Sequence, residues 1–124
     1  MYYLSPDIYV KADSPKGGVG IFAKNDIPAN TLLEISPVSN CLRSNWENTP
    51  YHLKKIVFSF PMNTDNYAIA LGYISVYNHD DNNNASWYSC DIGIGVYTIR
   101  SIKKGEEIFI NYGPNYWKNG WPKI

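Results

Sequence analysis

The chain has 124 residues, 44% of them apolar and 18% charged, with eleven basic side chains against eleven acidic ones. That length fits one domain. The balance excludes a disordered chain and the broad basic footprint of a nucleic-acid binder. In chain order, residues 8–12 alternate apolar and polar as a strand does, and Ser14-Pro15-Lys16-Gly17-Gly18 then breaks the run. Residues 21–24 and 32–35 read as the next strands, joined through the turn residues Pro28-Ala29-Asn30. Between residues 46 and 58, Thr49 suits an N-cap and Pro50 the first helical position. Leu53, Ile56, Val57 and Phe60 follow at helical spacing, so one short helix is expected. Residues 62–66 read as loop, and residues 67–77 fit a strand or a helical turn equally. The polar run 78–84, with four Asn and two Asp, predicts an exposed loop. Strands resume at 85–90, 93–101 and 107–112, with a turn at Lys103-Lys104-Gly105 and an irregular tail from Gly113.

A faint internal echo links Ile27-Pro28-Ala29-Asn30-Thr31-Leu32-Leu33 with Ile102-Lys103-Lys104-Gly105-Glu106-Glu107-Ile108, though nothing recurs between the copies as a solenoid would require. Two cysteines, Cys41 and Cys90, are too few for a disulfide framework or zinc cluster. A single disulfide between them stays open, with the plainer reading being two buried or idle thiols of a reducing compartment. His52 and His79 lack metal-ligand spacing, so no metal site is expected. No apolar run nears the ~18 residues of a membrane span, and no secretory leader is apparent. A soluble, intracellular protein is expected, in the cytoplasm or, for a viral or effector-like protein, the host nucleus.

Four segments carry the chemistry: Gly17-Gly18-Val19-Gly20, Asn78-His79, Gly105-Glu106-Glu107-Ile108 and Asn111-Tyr112-Gly113. None is specific alone. The glycine segment lacks the third glycine and helix of a dinucleotide fingerprint and the Lys-Ser/Thr pair of a P-loop. A glycine turn is usually just a turn, an Asn-His pair can merely satisfy loop backbone, and a lone tyrosine is most often core. No serine or cysteine sits in a nucleophile elbow.

Taken in order, the segments resemble the SET-domain family from residue 8 to about 117. Lys16-Gly17-Gly18-Val19-Gly20-Ile21-Phe22-Ala23 looks like its first motif. Leu71-Gly72 leading to Tyr77-Asn78-His79, with Asn84-Ala85 downstream, looks like its second. Gly105 to Gly113 looks like its third. The resemblance implies a mostly β fold (a β-clip) of short strands with one or two short helices. In it the C-terminal segment threads beneath the Asn78-His79 loop as a pseudoknot. One domain would fill residues 1–124, with its core at about 8–117 and a tail at 118–124.

It further implies a protein-lysine methyltransferase using S-adenosylmethionine on a protein or peptide substrate, a histone tail among the candidates. The alternative is a SET-fold binding module that has lost catalysis. By resemblance Tyr112 is catalytic, and Gly18, Val19, Gly20, Asn78, His79 and Trp117 bind the cofactor. Ile110 and Tyr116 line the lysine channel. No direct nucleic-acid or membrane partner is implied, and a monomer or a homodimer is expected by family precedent. Three positions depart from the family pattern. Asp80 stands for the usual small residue after Asn-His, Asn83 for a common proline, and Asn111 for a frequent Asp. The first two alter loop stiffness and charge near the adenine, putting cofactor affinity in question. Ile110 stands where relatives carry Phe or Tyr, so more than one methyl per lysine is expected.

Those residue types suit the chemistry. Transfer of a methyl from a sulfonium to an amine is an in-line displacement that needs no metal, and positioning supplies much of the catalysis. The attacking lysine must be neutral although its reference pKa is about 10.4. A narrow aromatic channel beside a cation lowers that value by desolvation and like-charge repulsion. A tyrosine ring excludes water there while its hydroxyl orients the amine or the polarised methyl.

Overall fold

A computed structural model describes residues 1–41, 43–54, 56–60 and 66–113. Its strands are β1 (Tyr3–Leu4), β2 (Ile8–Lys11), β3 (Gly20–Ala23), β4 (Leu32–Ser36), β5 (Val38–Cys41), β6 (Val57–Ser59), β7 (Tyr67–Ala70), β8 (Asn78–His79), β9 (Ala85–Cys90), β10 (Gly93–Thr98) and β11 (Glu107–Ile110). They form three sheets among the described residues, in the orders β1-β4-β10-β9, β2-β3-β11-β8 and β5-β7-β6. The expected mostly β architecture is what the chain adopts.

Burial follows strand position. The central strand β3 is buried at all four residues, Gly-Ile-Phe-Ala, as a strand covered on both faces must be. The central strand β10 is buried at every position but Tyr97. The core gathers Ile21, Leu33, Ile74, Ile94, Val96, Ile108 and Ile110 from all parts of the chain. Full burial of such a side chain contributes about 1.5–3 kcal/mol, so this cluster is what docks the small sheets on one another.

Several expectations resolve in detail. The segment around residue 50 holds a 3-10 turn, Arg43–Asn48, and a single helical turn, Tyr51–Lys54, started by Pro50. The helix does not run on through Val57. Val57 and Phe58 instead pair with Ile69 and Ala68 as strand β6, and Phe58 packs edge-on to Trp87 at 5.0 Å. A β-branched and an aromatic residue gain more from that ladder than from another helical turn. The ambiguous segment divides into β7 and a 3-10 turn, Tyr73–Ser75. The polar run 78–84 is not simply an exposed loop, because it opens as β8 and its His79 and Asn84 are buried. The internal echo marks a physical pairing: Ile27 and Ile102 exchange both backbone hydrogen bonds at 2.8 Å as an isolated antiparallel bridge.

The arrangement that builds the site is the second sheet. Strand β11 lies between β3, which it pairs antiparallel, and β8, which it pairs parallel with Phe109 opposite Asn78 and Ile110 opposite His79. The loop after β8 then folds over β11. The Asn84 side chain donates to the Glu107 carbonyl at 2.9 Å and accepts from the Phe109 amide at 2.8 Å. That carboxamide acts as one peptide unit of a strand that the loop does not otherwise supply.

Candidate active site

The glycine segment enters the site through backbone shape. Gly17 and Gly18 have φ of +93° and +68°, the left-handed region where glycine is at ease. A Cβ on either would meet nothing within 4 Å, so that side of the loop is open. Gly20 differs. Its φ is ordinary, but a Cβ there would sit 3.0 Å from Asn78 Nδ2 and from Glu107 Cδ, and closer still to Glu107 Oε2. Glycine at 20 is therefore required by side chains behind the strand.

Those side chains form a connected polar group. Asn78 Nδ2 donates to the Val19 carbonyl at 2.9 Å and to Glu107 Oε2 at 2.8 Å, with a longer contact to Ser14 Oγ at 3.2 Å. Ser14 Oγ donates in turn to Glu107 Oε1 at 2.6 Å. Because the Val19 carbonyl can only accept, the Asn78 amide is oriented with its NH2 inward. Three segments far apart in sequence thus meet on one carboxamide.

The Asn-His pair also reaches Tyr112. The Tyr112 amide donates to His79 Nδ1 at 3.0 Å, while His79 Nε2 lies 2.7 Å from Asp81 Oδ1. An accepting Nδ1 places the imidazole proton on Nε2, facing Asp81. The two rings are 5.2 Å apart and tilted by 50°. The Tyr112 hydroxyl donates to the Tyr77 carbonyl at 2.8 Å. Both ends of Tyr112 are therefore tied to the segment 77–79.

Asp80 does not loosen its loop. It accepts from the Asn82 amide at 2.8 Å and pairs with Lys16 at 3.1 Å, and these contacts hold its carboxyl below the ordinary range, the Asn82 bond most strongly. Lys16 Nζ also stands 5.5 Å from the centre of the Phe109 ring. The ion pair straps the glycine loop to the Asn-His loop across β11.

Of the sequence-predicted site residues, Gly18, Val19, Gly20, Asn78, His79, Ile110 and Tyr112 come together around β3, β8 and β11. Ile110 is fully buried at 0% exposure, within the core. Tyr116 and Trp117 lie outside the described residues. Sequence reading assigned no role to Ser14, Tyr77, Asn84 or Glu34. The signal for Glu34 was a lone carboxylate in an otherwise apolar strand; for Asn84 it was a place in a polar run beside an apolar one. Among the described residues no group of three or more His, Cys, Asp or Glu could hold a metal. No helix among them is long and apolar enough to cross a membrane.

A profile of the SET domain matches residues 18–113. The chain belongs to the SET-domain family. This SET domain is 34% identical over 107 residues to a curated histone-lysine N-methyltransferase of Schizosaccharomyces pombe, described as specific for histone H3 lysine-37. The match covers 85% of this chain and 73% of that one. It also superposes on the crystal structure of a candidate histone methyltransferase from Plasmodium falciparum. That likeness has a TM-score of 0.76 and 29% identity, covering 92% of this chain and 99% of the other. SET-domain membership with this homology makes the protein a protein-lysine methyltransferase. SET methyltransferases as a family use S-adenosylmethionine.

Proposed function

We propose that this SET domain binds S-adenosylmethionine against the glycine loop and Asn78-His79 and methylates a lysine of a histone tail, with Tyr112 as the catalytic residue. The observation that carries the reading is the double tethering of Tyr112: its amide on His79 Nδ1 and its hydroxyl on the Tyr77 carbonyl, at 3.0 and 2.8 Å. A phenol held at both ends beside the Asn-His strand is preorganised, which in-line transfer rewards.

The residues fit the cofactor. The open side of Gly17 and Gly18 leaves backbone approachable by a ligand. With its NH2 committed inward to Val19 and Glu107, Asn78 turns its amide oxygen to a ligand, and that oxygen suits the α-ammonium of a methionine. When bound, the cofactor supplies an electrophilic methyl on a sulfonium. The remaining work belongs to the chain. Tyr112 commits its hydroxyl hydrogen to a hydrogen bond with the Tyr77 carbonyl, so the phenol oxygen faces the reacting groups as an acceptor and not as a base. An acceptor there orients an amine N–H or a polarised methyl C–H. Proton loss from the lysine then depends on desolvation beside a cation. Ile110, beside His79 in the β8–β11 pairing, brings no aromatic ring or phenol to the site, which suits more than one methyl per lysine.

The test is Tyr112→Phe, assayed by labelled methyl transfer to recombinant histones and to whole-cell protein, with cofactor binding followed by calorimetry. The expected result is loss of nearly all turnover with cofactor affinity and melting temperature close to those of the unaltered protein. Near-normal turnover removes Tyr112 from the catalytic role. Failure of the unaltered protein to bind the cofactor refutes the reading as a whole.

A further inference from the structure

Glu34 lies on β4 at 1% exposure, among core residues, in a position where an aliphatic side chain would serve packing better. Removing a carboxyl group from water is costly unless every oxygen finds donors. Here they do. Oε1 accepts the Tyr77 hydroxyl at 3.0 Å, and Oε2 accepts the Tyr73 amide at 2.7 Å and the Ser36 hydroxyl. The surroundings are shaped for this group. A Cβ on Gly72 would stand 3.0 Å from Ser36 Cβ and nearer still to Ser36 Oγ and Glu34 Oε2, so only glycine lets the segment dock on the carboxylate.

The donors identify what the carboxylate grips. Tyr73 begins the 3-10 turn Tyr73–Ser75, and Tyr77 ends the segment that delivers the chain into Asn78-His79. One buried group holds both ends of residues 73–77. Tyr77 is gripped by its side chain and presents its own carbonyl to the Tyr112 hydroxyl. A hydrophobic side chain could fill the same space, and buried ionic groups replaced in that way often leave a protein as stable or more so. Stability is thus a poor reason for a carboxylate at this place, whereas fixing the Tyr77 carbonyl is a specific one.

We infer that Glu34 is a positioning residue for methyl transfer, fixing the Tyr77 carbonyl that holds the Tyr112 hydroxyl. The inference rests on the reading of Tyr112 as catalytic. It extends the machinery one layer inward, to a residue that touches neither substrate nor cofactor.

The experiment compares Glu34→Leu, Glu34→Gln and Tyr77→Phe with the unaltered protein, each also in a Tyr112→Phe background. Turnover is read with a histone substrate by mass spectrometry over long incubations. A second readout, free of cofactor and substrate, is the ring-carbon NMR signal of Tyr112 in tyrosine-labelled protein, assigned by its loss in Tyr112→Phe. Displacement of a positioned hydroxyl costs about tenfold or more in kcat, so Glu34→Leu and Tyr77→Phe are expected to lose about tenfold with KM little changed. Both should shift the Tyr112 signal. Glu34→Gln is the conservative rescue. Its amide oxygen can accept from Tyr73 and Ser36, and its NH2 can donate to a Tyr77 hydroxyl turned to accept. It should recover to within about threefold of full turnover. In the Tyr112→Phe background the Tyr77→Phe loss should vanish, since both substitutions cut one chain of contacts.

Should Glu34→Leu fail to fold, Tyr77→Phe decides. Normal turnover in Tyr77→Phe, an unmoved Tyr112 signal, or an undiminished loss in the Tyr112→Phe background overturns the inference. If Tyr112→Phe alone retains turnover, the catalytic reading fails and takes this inference with it. If Tyr112→Phe is inactive while Tyr77→Phe and Glu34→Leu turn over normally, only the inference fails.

Discussion

Gly20→Ala is the substitution whose effect can be worked most fully from the structure. The φ at Gly20 is not in the left-handed region, so alanine meets no backbone penalty and would ordinarily favour a strand. The cost is steric. The new Cβ stands 3.0 Å from Asn78 Nδ2 and Glu107 Cδ, with Glu107 Oε2 closer. Comfortable contact needs about 3.5–4.0 Å, so the carboxylate must retreat by roughly 1 Å. It cannot do so freely, because Ser14 at 2.6 Å and Asn78 at 2.8 Å hold its two oxygens. A hydrogen bond to a charged group contributes about 1.5–3 kcal/mol. Losing one and loosening the other costs about 2–4 kcal/mol. For a domain of this size that lowers the melting temperature by about 8–15 °C. The site suffers with it, since the Asn78 amide loses the partner that orients it, and cofactor affinity measured by calorimetry should fall. Glu107→Asp draws the carboxylate back by one carbon–carbon bond, about 1.5 Å. The double variant should therefore melt above Gly20→Ala alone. A Gly20→Ala protein that melts within about 2 °C of the original and binds cofactor equally well would refute the reasoning.

Asn84→Ala removes a side chain, 2% exposed, that satisfies the Glu107 carbonyl and the Phe109 amide. One buried and one part-buried backbone group then lack these partners at about 1–3 kcal/mol each, and denaturant unfolding should show a loss of about 2–5 kcal/mol. Burial, the largest influence on Glu34, raises its pKa above the ordinary 4.5 despite hydrogen bonds from Ser36, Tyr77 and the backbone of Tyr73 and Ile74. The folded protein therefore holds this proton more tightly than the unfolded chain does. Glu34's contribution to stability is complete below pH 4.5 and is lost as pH rises through its folded-state value. Glu34→Gln removes that dependence. Melts between about pH 4 and about pH 8 should show the stability difference moving in the variant's favour as pH rises, and parallel curves would contradict it. Asp80→Asn deletes a surface ion pair to Lys16 and should shift melting by no more than a few degrees. A large shift would mean that the strap across β11 carries far more than its exposure allows. Intact-mass analysis of an exhaustively treated histone peptide should show products beyond monomethyl-lysine, and monomethyl product alone would assign Ile110 no permissive role.

What the sequence discloses depends on whether the cause is local. Turn glycines, Asn-His and the Gly-Glu-Glu to Tyr-Gly stretch are short and contiguous, so their order could be read directly. Strands β2, β3, β4, β9, β10 and β11 were legible because each is an apolar run bounded by turn residues. The helix near residue 50 was overextended because Val57 and Phe58 answer to β7 and Trp87, which helical spacing cannot represent. Residues 78–84 read as exposed because polarity usually means solvent, whereas Asn84 is buried to serve a strand it touches only after folding. Glu107 was visible as a motif letter, but its purpose was not, since its partners Ser14 and Asn78 lie 93 and 29 residues away. The resemblance gives Gly20 a part in binding the cofactor, and the structure adds a reason for glycine there in the side chains behind it. Glu34 sits on a short strand whose register is set by β1 and β10, so its neighbours Tyr73 and Tyr77 could not be foreseen.

The insertion of β11 between β3 and β8 has a consequence for biosynthesis. Strand β11, late among the described residues, is interior to its sheet, so the glycine loop and the Asn-His pair cannot acquire their shared support until residues 107–110 have left the ribosome. Contacts spanning such separations also form slowly, because long loops must close before they are rewarded. A nascent or truncated chain lacking β11 would expose the flank of β3 and offer it to other unpaired strands. Assembly of the candidate site therefore waits on β11, and fragments that stop short of it should be clients for chaperones rather than slow enzymes.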